Sequence, residues 1–173
     1  NAPVARIDIA QATGLSPATV TSITADLIAK GLIEEVPDEA APSAVKRGRP
    51  RVNLRIRAEA HLVAGMKLTN KSATVVIIDY VGNRVAEFSN PTDIAVRSVS
   101  DTLSFLNKTL LLALENADLK LDQLSGVGIG IPGVVDAPIG IVRWSPSITE
   151  NEVPLQQMLS DTFGVPAFLD NDA

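Results

Sequence analysis

The chain has 173 residues, of which 46% are hydrophobic, a formal net charge of −5 and no cysteine. This composition suits one or two folded domains, and it excludes disulfides, Cys-ligated zinc and thiol catalysis within these residues. The longest uncharged apolar run, residues 124–135, is shorter than the roughly 20 residues that a membrane span requires, and residues 1–30 do not show the basic-then-apolar pattern of a signal peptide. We therefore expect a soluble, cytoplasmic protein that makes no membrane contact.

Charge is unevenly distributed along the chain. Residues 1–60 carry eight Lys or Arg and seven Asp or Glu, a net charge of +1, whereas residues 61–173 carry seven and thirteen, a net charge of −6. Six of the positive side chains lie in residues 46–57, a segment without any acidic residue. Such a basic strip in an otherwise acidic chain favours a local nucleic-acid contact by the N-terminal part.

Two helices are predicted near the start of the chain. Residues 6–12 are patterned as a short helix that Gly14 closes. A longer helix follows over residues 17–30, with Ser16 as its N-cap, a proline at its first position and Gly31 as its C-terminal stop.

Two strands are predicted after these helices, over residues 32–36 and 52–56, and they pair across a loop rich in proline, alanine and charge. Two helices followed by a hairpin are typical of a winged helix-turn-helix, a DNA-binding domain. We assign residues 1–57 to such a domain, with the basic segment as its wing or linker.

The start of the second helix is the expected base-reading surface. In a helix-turn-helix these residues meet base edges in the major groove, where hydroxyl groups can bond bases or phosphates and alanine can touch a thymine methyl group. The alternative is an ordinary amphipathic helix with a solvated Thr and Ser face, on which Thr24 would also lie. The predicted DNA contacts of this helix are Ser16, Ala18, Thr19, Thr21 and Ser22.

The basic segment supplies a second predicted DNA contact. Its Arg-Gly-Arg-Pro core, residues 47–50, resembles the minor-groove clamp of AT-hook peptides, in which glycine permits close approach to the groove floor and proline keeps the chain extended. Arginines in such a clamp enter the negative potential of a narrow A·T minor groove. The alternative is a solvated charged loop. The predicted contacts are Lys46, Arg47, Gly48, Arg49 and Arg51.

Residues 58–173 are predicted to form a second, α/β domain. Three strands in a meander are followed by helix, strand, helix and strand, a plan typical of α/β folds. The predicted strands span residues 62–68, 73–79, 85–89, 125–135, 139–143 and 165–169, and the predicted helices begin at Val99, after a Ser98 to Asp101 capping box, and at Pro154.

A family resemblance rests on GVGIGIPGVVD, EVPL and NDA in this order, preceded by TGLSPATVTSITADLIAKGLIEE and GRP. The chain resembles the N-terminal portion of transcriptional repressors of the repressor/open-reading-frame/kinase (ROK) family, whose members are longer. The resemblance implies that the second domain is the N-terminal half of an actin-like, ribonuclease-H-like sugar-kinase fold, and that the chain is the N-terminal portion of a longer protein. Because the usual first helix of a winged domain is nearly missing before Arg6, we also expect the chain to begin inside a longer protein.

The resemblance also locates a degenerate phosphate loop. ROK sugar kinases end their first strand in a sequence similar to G-I-D-I-G-G-T, whose glycines let backbone amides approach ATP phosphates. Here Lys67 replaces the acidic residue, Thr69 and Asn70 replace the paired glycines, and Lys71 replaces the threonine. Because phosphoryl transfer depends on that positioning, we expect no enzymatic activity. The alternative is a ROK sugar kinase with an N-terminal extension.

The sugar-contacting positions of the family are better preserved. By resemblance, Asn171 and Asp172 contact sugar hydroxyls and Gly133 lies in a turn beside the cleft. The alternative explanations are a strand that ends in an Asn-Asp turn and a glycine required only by tight packing. Pro146 and Ser147 stand where family members often have Pro-Asn, a departure that would alter sugar specificity. No cofactor is expected in this chain, and the family's zinc motif would lie beyond Ala173.

We therefore expect a transcriptional regulator, a repressor of sugar-metabolism genes. Its expected partners are a double-stranded DNA operator, a sugar or sugar-phosphate effector, and further copies of the chain in a homodimer or higher homo-oligomer. A third alternative is a DNA-binding protein whose second domain only forms oligomers.

Overall fold

The computed structural model describes residues 2–37 and 52–172. The chain forms two compact units that divide between Ala60 and His61. The short turn Ala58–Ala60 belongs to the first unit, so the division falls slightly after the boundary expected at residue 57.

The first unit begins with two helices, α1 (Arg6–Thr13) and α2 (Pro17–Ala29). Gly14 ends α1 in the left-handed conformation at φ +69°, which glycine adopts without steric cost. The Ser16 side chain caps α2. Both predicted helices and the predicted cap are therefore confirmed, with helix ends that differ by one residue.

A small antiparallel sheet completes the first unit. Strands β2 (Ile33–Pro37) and β3 (Val52–Ile56) form the predicted hairpin, and β1 (Val4–Ala5) pairs with the other edge of β3. Two residues carry too little periodicity to predict a strand, and β1 was accordingly not expected. Two helices followed by this sheet make a winged helix-turn-helix arrangement.

The second unit is built on a mixed five-stranded sheet. Its strands are β4 (Leu62–Leu68), β5 (Ser72–Asp79), β6 (Arg84–Pro91), β7 (Leu124–Ile131) and β10 (Ala167–Asn171). They lie in the order β10-β7-β4-β5-β6. Strands β4, β7 and β10 are parallel, while β5 is antiparallel to both of its neighbours.

Two helices, α3 (Val99–Asn116) and α4 (Leu155–Phe163), cover one face of this sheet. Leu106 and Leu110 of α3 and Leu155 and Leu159 of α4 are fully buried. Ser98 caps α3 as predicted. The opposite face presents Val63 and Phe168 to solvent, with Gly65 and Gly128 between them. In the described part of the chain no helix covers that face.

One predicted strand is wrong. Residues 125–135 were expected to form a single strand, but β7 ends at Ile131 and a separate hairpin follows, β8 (Val134–Asp136) with β9 (Ile141–Trp144). The break falls at Pro132, which has no amide to donate, and at Gly133, whose φ of +131° suits only glycine.

Among the described residues no helix is long and apolar enough to cross a membrane.

Candidate nucleic-acid interface and candidate sugar cleft

The start of α2 presents a small polar surface. The Ser16 hydroxyl accepts a hydrogen bond from the Thr19 amide at 3.1 Å, and the Thr21 hydroxyl donates to the Pro17 carbonyl at 2.8 Å. These bonds fix the first turn, and the partial positive charge of a helix N-terminus suits a phosphate nearby. All five predicted contact residues of this helix are exposed: Ser16, Ala18, Thr19, Thr21 and Ser22.

Thr24, expected on the same polar face, is instead buried at 4% exposure. Its hydroxyl oxygen accepts a hydrogen bond from Arg6 Nε at 2.9 Å, and Arg6 Nη2 also pairs with Glu35 Oε1 at 2.7 Å. Thr24 lies one helical turn after the buried Val20 and therefore shares its face, whereas Ile23 is 46% exposed. The assignment of Thr24 to the solvated polar face of α2 is therefore wrong.

The basic segment is compensated at its C-terminal end. Arg55 donates to Glu34 Oε1 from Nε at 3.0 Å and from Nη2 at 2.5 Å, and Arg57 pairs with Glu59 at 3.4 Å. Glu34 stands directly opposite Arg55 on the neighbouring strand, where opposite charges attract. All predicted DNA contacts of this segment lie outside the described residues: Lys46, Arg47, Gly48, Arg49 and Arg51.

The second unit has a cleft at the carboxyl edge of its parallel strands, where α/β sheets commonly bind ligands. The loops after β4, β6, β7, β9 and β10 meet there and enclose about 360 Å³. The residues that line the cleft are Thr69, Asn70, Ala95, Pro132, Pro146, Ser147 and Asp172.

Asn171 and Gly133 hold the wall of this cleft. Asn171 is the last residue of β10, and its side-chain amide donates a hydrogen bond to the Gly133 carbonyl. A Cβ at Gly133 would lie 2.2 Å from the Trp144 carbonyl oxygen, so no larger residue fits without moving the backbone. Of the three predicted sugar-binding residues, Asp172 lines the cleft, while Asn171 and Gly133 contact each other beside it.

Asp172 is paired with Lys67, a contact that the sequence gave no sign of. Lys67 Nζ lies 3.3 Å from Asp172 Oδ2 and 3.4 Å from the Asp172 main-chain oxygen. Lys67 lies on β4 and Asp172 follows β10, and these two strands are separated by β7. Only the order of the strands in the sheet brings the two side chains together.

The turn after β4 is closed by its own threonine. The Thr69 hydroxyl oxygen accepts hydrogen bonds from the Ser72 amide at 3.0 Å and the Lys71 amide at 3.2 Å, and the Thr69 amide donates to the Ser72 carbonyl at 2.8 Å. Three amides of this turn, those of Thr69, Lys71 and Ser72, therefore already have protein partners.

A buried arginine, Arg97, is hydrogen-bonded to a residue that lines the cleft. The Arg97 amide donates to the Ser147 carbonyl at 3.0 Å, its guanidinium carbon lies 4.4 Å from the centre of the Phe105 ring, and Nη2 donates to the Thr92 hydroxyl. Burial lowers the pKa of Arg97, although the nearby Asp101 acts in the opposite direction. Arg97 was not identified from the sequence, because an arginine in a loop is ordinarily solvent-exposed.

The hairpin beside the cleft is clamped by Arg143. Its guanidinium donates to Asp136 at 2.7 Å and to Glu152. These bonds, the one to Asp136 more than the one to Glu152, raise the pKa of Arg143.

His61 is exposed and its Nδ1 lies 2.7 Å from the Ser125 hydroxyl. Within residues 2–37 and 52–172, no group of three or more His, Asp or Glu is arranged to hold a metal ion.

The structure thus combines a winged helix-turn-helix unit with a sugar-kinase-like α/β unit. Residues 65–173 match the model of the ROK family. This match covers more than half of the chain, and the chain belongs to the ROK family.

Two curated relatives illustrate the similarity. The chain is 28% identical over 170 residues to the N-acetylglucosamine repressor of Escherichia coli O6:H1, covering 98% of this chain and 40% of that protein. It is 27% identical over 171 residues to the DNA-binding transcriptional repressor Mlc of Escherichia coli K12, covering 98% of this chain and 41% of that protein. The chain therefore spans about 40% of the length of these relatives.

Two solved structures place the fold. A ROK family transcriptional regulator, described as a homologue of the Escherichia coli MLC protein, aligns with a TM-score of 0.69 and 27% identity over 98% of this chain and 41% of that one. The ROK hexokinase from Thermus thermophilus aligns with a TM-score of 0.55 and 22% identity over 65% of this chain and 35% of that one. The second match shows the fold alone, which confirms the predicted sugar-kinase-like architecture.

Proposed function

We propose that this chain is part of a transcriptional repressor that binds operator DNA through its winged helix-turn-helix unit and a sugar through its ROK unit. The observation that carries the proposal is the presence of both sites in one chain. The first unit has a capped, exposed hydroxyl face at the start of α2, and the second has a cleft at the carboxyl edge of β4, β7 and β10. The similarity to two repressors over 98% of the chain supports it.

Sugar would control DNA binding by favouring one conformation of the protein over another. A ligand shifts such an equilibrium only as far as its affinities for the two states differ. Because linkage is reciprocal, sugar that weakens operator binding must itself bind less tightly to the DNA-bound protein. We further propose a homodimer, because one small DNA-binding module has limited affinity and paired half-sites add to it.

We propose that the protein transfers no phosphate. ATP-binding turns offer free backbone amides to phosphate oxygens, whereas the amides of Lys71 and Ser72 are already bonded to the Thr69 hydroxyl. The competing function is that of a sugar kinase, which the Asn171-Asp172 pair and the hexokinase-like fold support. Sugar-dependent ATP consumption by the purified protein would decide for the kinase, and we expect none.

The test of the proposed function is fluorescence anisotropy of the DNA upstream of the protein's own gene, titrated with the protein in the presence of individual sugars. We expect tight, salt-sensitive binding that one sugar releases. Absence of specific DNA binding would disprove the repressor. DNA binding that no sugar changes would disprove sugar control and favour a second unit that only forms oligomers.

The basic segment offers a sharper test of the DNA-binding face. Replacing Arg47 and Arg49 together by alanine is expected to weaken operator binding, because two phosphate-neutralising charges are lost. The salt slope, that is the slope of the logarithm of the binding constant against the logarithm of the salt concentration, should decrease in magnitude by about two. The matched control replaces Arg55 and Arg57 together, which removes the same charge from side chains paired with Glu34 and Glu59. Its salt slope should be unchanged, and equal slopes for both variants would remove the segment from the interface.

A further inference from the structure

The pair formed by Lys67 and Asp172 crosses the middle strand of the parallel part of the sheet. Lys67 stands beside Gly130 of β7, and Gly130 stands beside Asp170 of β10. A Cβ at Gly130 would lie 3.5 Å from the Cβ of Asp172 and 3.8 Å from the Met66 carbonyl oxygen. Because Gly130 has no side chain, no Cβ of β7 lies between the Lys67 and Asp172 side chains at this position.

The cleft is charge-balanced by this pair. Of the residues that line it, Asp172 alone is ionisable, and the Lys67 ammonium lies 3.3 Å from its carboxylate. Lys67 and Lys71 do not line the cleft themselves: Lys67 reaches it through its pair with Asp172, whereas Lys71 belongs to the adjoining turn. Arg97 is 4% exposed and packs against Phe105, so its guanidinium is closed to a ligand. Among the described residues, the cleft lining therefore carries one ionisable group, Asp172, whose charge the Lys67 ammonium balances.

The pair nevertheless retains hydrogen-bonding capacity. Its distances of 3.3 and 3.4 Å exceed the roughly 2.7–2.9 Å of a strong charge-assisted hydrogen bond. The Lys67 side chain is 56% exposed and carries three donors, while each Asp172 oxygen can accept more than one bond. Two neighbouring sugar hydroxyls can accept from the ammonium and donate to the carboxylate. A phosphate dianion would instead be repelled by the Asp172 carboxylate, whose charge the Lys67 ammonium balances but does not exceed.

We propose that the effector is an unphosphorylated sugar, and that Lys67 and Asp172 bind it as a donor–acceptor pair that selects a neutral diol over a sugar phosphate. This inference rests on the proposed function, because it names the ligand class of the same cleft. Lys67 thereby has two effects: it removes the acidic group of a phosphate loop and it neutralises the carboxylate that would otherwise remain a lone charge.

Isothermal titration calorimetry of the full-length protein tests the ligand class. The probes are D-glucose, D-xylose and N-acetyl-D-glucosamine, the 6-phosphates of glucose and N-acetylglucosamine, the 5-phosphate of xylose, and inorganic phosphate. We expect a free sugar to bind at least tenfold more tightly than its own phosphate ester, with an affinity that ionic strength leaves unchanged. An ester that binds as tightly as its free sugar, or more tightly, would overturn the proposal, as would competition by inorganic phosphate.

Variants test the role of Lys67. Lys67→Met leaves the Asp172 charge unbalanced and should weaken binding of the free sugar about tenfold, whereas Lys67→Arg should keep it within about threefold. The matched control is Lys71→Met, which removes the same group from the adjoining turn and should change nothing. A Lys67→Met protein that melts as the wild type does and binds the sugar equally well would reduce Lys67 to a structural residue and overturn the proposal.

Operator binding by the same preparations separates this proposal from the proposed function. Release of DNA by a phosphate ester and not by its free sugar would overturn the ligand class while leaving a sugar-controlled repressor intact. If calorimetry detects no binding of any probe and no probe releases the DNA, sugar control falls and this proposal falls with it. Release by a free sugar that Lys67→Met abolishes is the result that both proposals expect.

Discussion

The two units of this chain are stabilised in different ways. In the first unit the buried apolar side chains of the described residues are Ala5, Ala10, Val20 and Leu54. A hydrogen bond from Arg6 to Thr24 and an ion pair between Arg6 and Glu35 connect α1 to α2 and β2. The second unit buries a continuous apolar cluster between one face of its sheet and helices α3 and α4. The first unit therefore depends on polar contacts between elements, and the second on packing.

This difference predicts where each unit is vulnerable. A domain with a small core has little stability to lose, so loss of one polar contact should be felt throughout the first unit. A well-packed unit tolerates changes at its surface but not a clash with its backbone. The two units can be followed separately, since Trp144 and Tyr80, the single tryptophan and tyrosine of the chain, both belong to the second unit.

The largest effect is expected from Gly133→Val in the second unit. Its Cβ would lie 2.2 Å from the Trp144 carbonyl oxygen, and φ of +131° is unfavourable for a β-branched residue. We expect a loss of at least about 3 kcal/mol in the free energy of unfolding. The loss is measured by urea unfolding with tryptophan fluorescence as the probe. Sugar binding should be lost as well, because Asn171 donates its hydrogen bond to this turn.

The control is Gly128→Ala, at which an added Cβ meets no atom within 4 Å. Its stability should remain within about 0.5 kcal/mol of the wild type. If both glycine variants unfolded alike, general sensitivity of the second unit would replace the specific role of the turn at Gly133.

Much of the fold was predictable because its signals are local. Caps such as Ser16 and Ser98, and stops such as Gly14, act within one helical turn, and each was found where the sequence indicated it. The hairpin after Ile131 was missed, because the apolar run continues through Pro132 and Gly133 and periodicity alone does not mark the break.

The site was less predictable because its contacts join distant parts of the chain. Lys67 and Asp172 meet only through the order of the strands, and Arg6 reaches Thr24 and Glu35 only through the packing of the first unit. A single sequence identifies residues with chemical capacity, but it does not show which of them are already bound to each other. That is why Thr24 was assigned to a surface that it does not share.

An intermediate effect is expected from Arg6→Met in the first unit. The substitution keeps an apolar stem, but it removes the bond to the buried Thr24 hydroxyl and the pair with Glu35. We expect a loss of about 1–2 kcal/mol in the stability of the first unit. This loss should be measured as a lower melting temperature in far-ultraviolet circular dichroism and as weaker operator binding, while tryptophan fluorescence of the second unit stays unchanged.

Lys30→Met is the matched control, since Lys30 forms an exposed pair with Asp26 one turn earlier in α2. Exposed pairs of this kind contribute at most about 0.5 kcal/mol. If Lys30→Met destabilised the protein as much as Arg6→Met does, the loss would reflect the net charge of the first unit, and the contrast between the two units would be weaker than we infer.

The smallest effect is expected where the second unit also relies on a charge. The Thr149 hydroxyl and the Val99 amide at the start of α3 both donate to Glu150 Oε2, and these bonds lower the pKa of Glu150 below its ordinary value of 4.5. A carboxyl whose pKa is lower in the folded protein than in the unfolded chain stabilises the fold above the unfolded pKa, and this contribution disappears as the pH falls through the folded pKa.

Glu150→Gln, which keeps the accepting oxygen, should therefore be slightly less stable than the wild type at pH 7. The two proteins should converge on acidification below about pH 4.5 in urea unfolding followed by tryptophan fluorescence. A difference in stability that persists unchanged into acid would show that Glu150 acts through hydrogen-bond geometry and not through its charge. The second unit would then rely on charged contacts even less, and the contrast with the first unit would be greater.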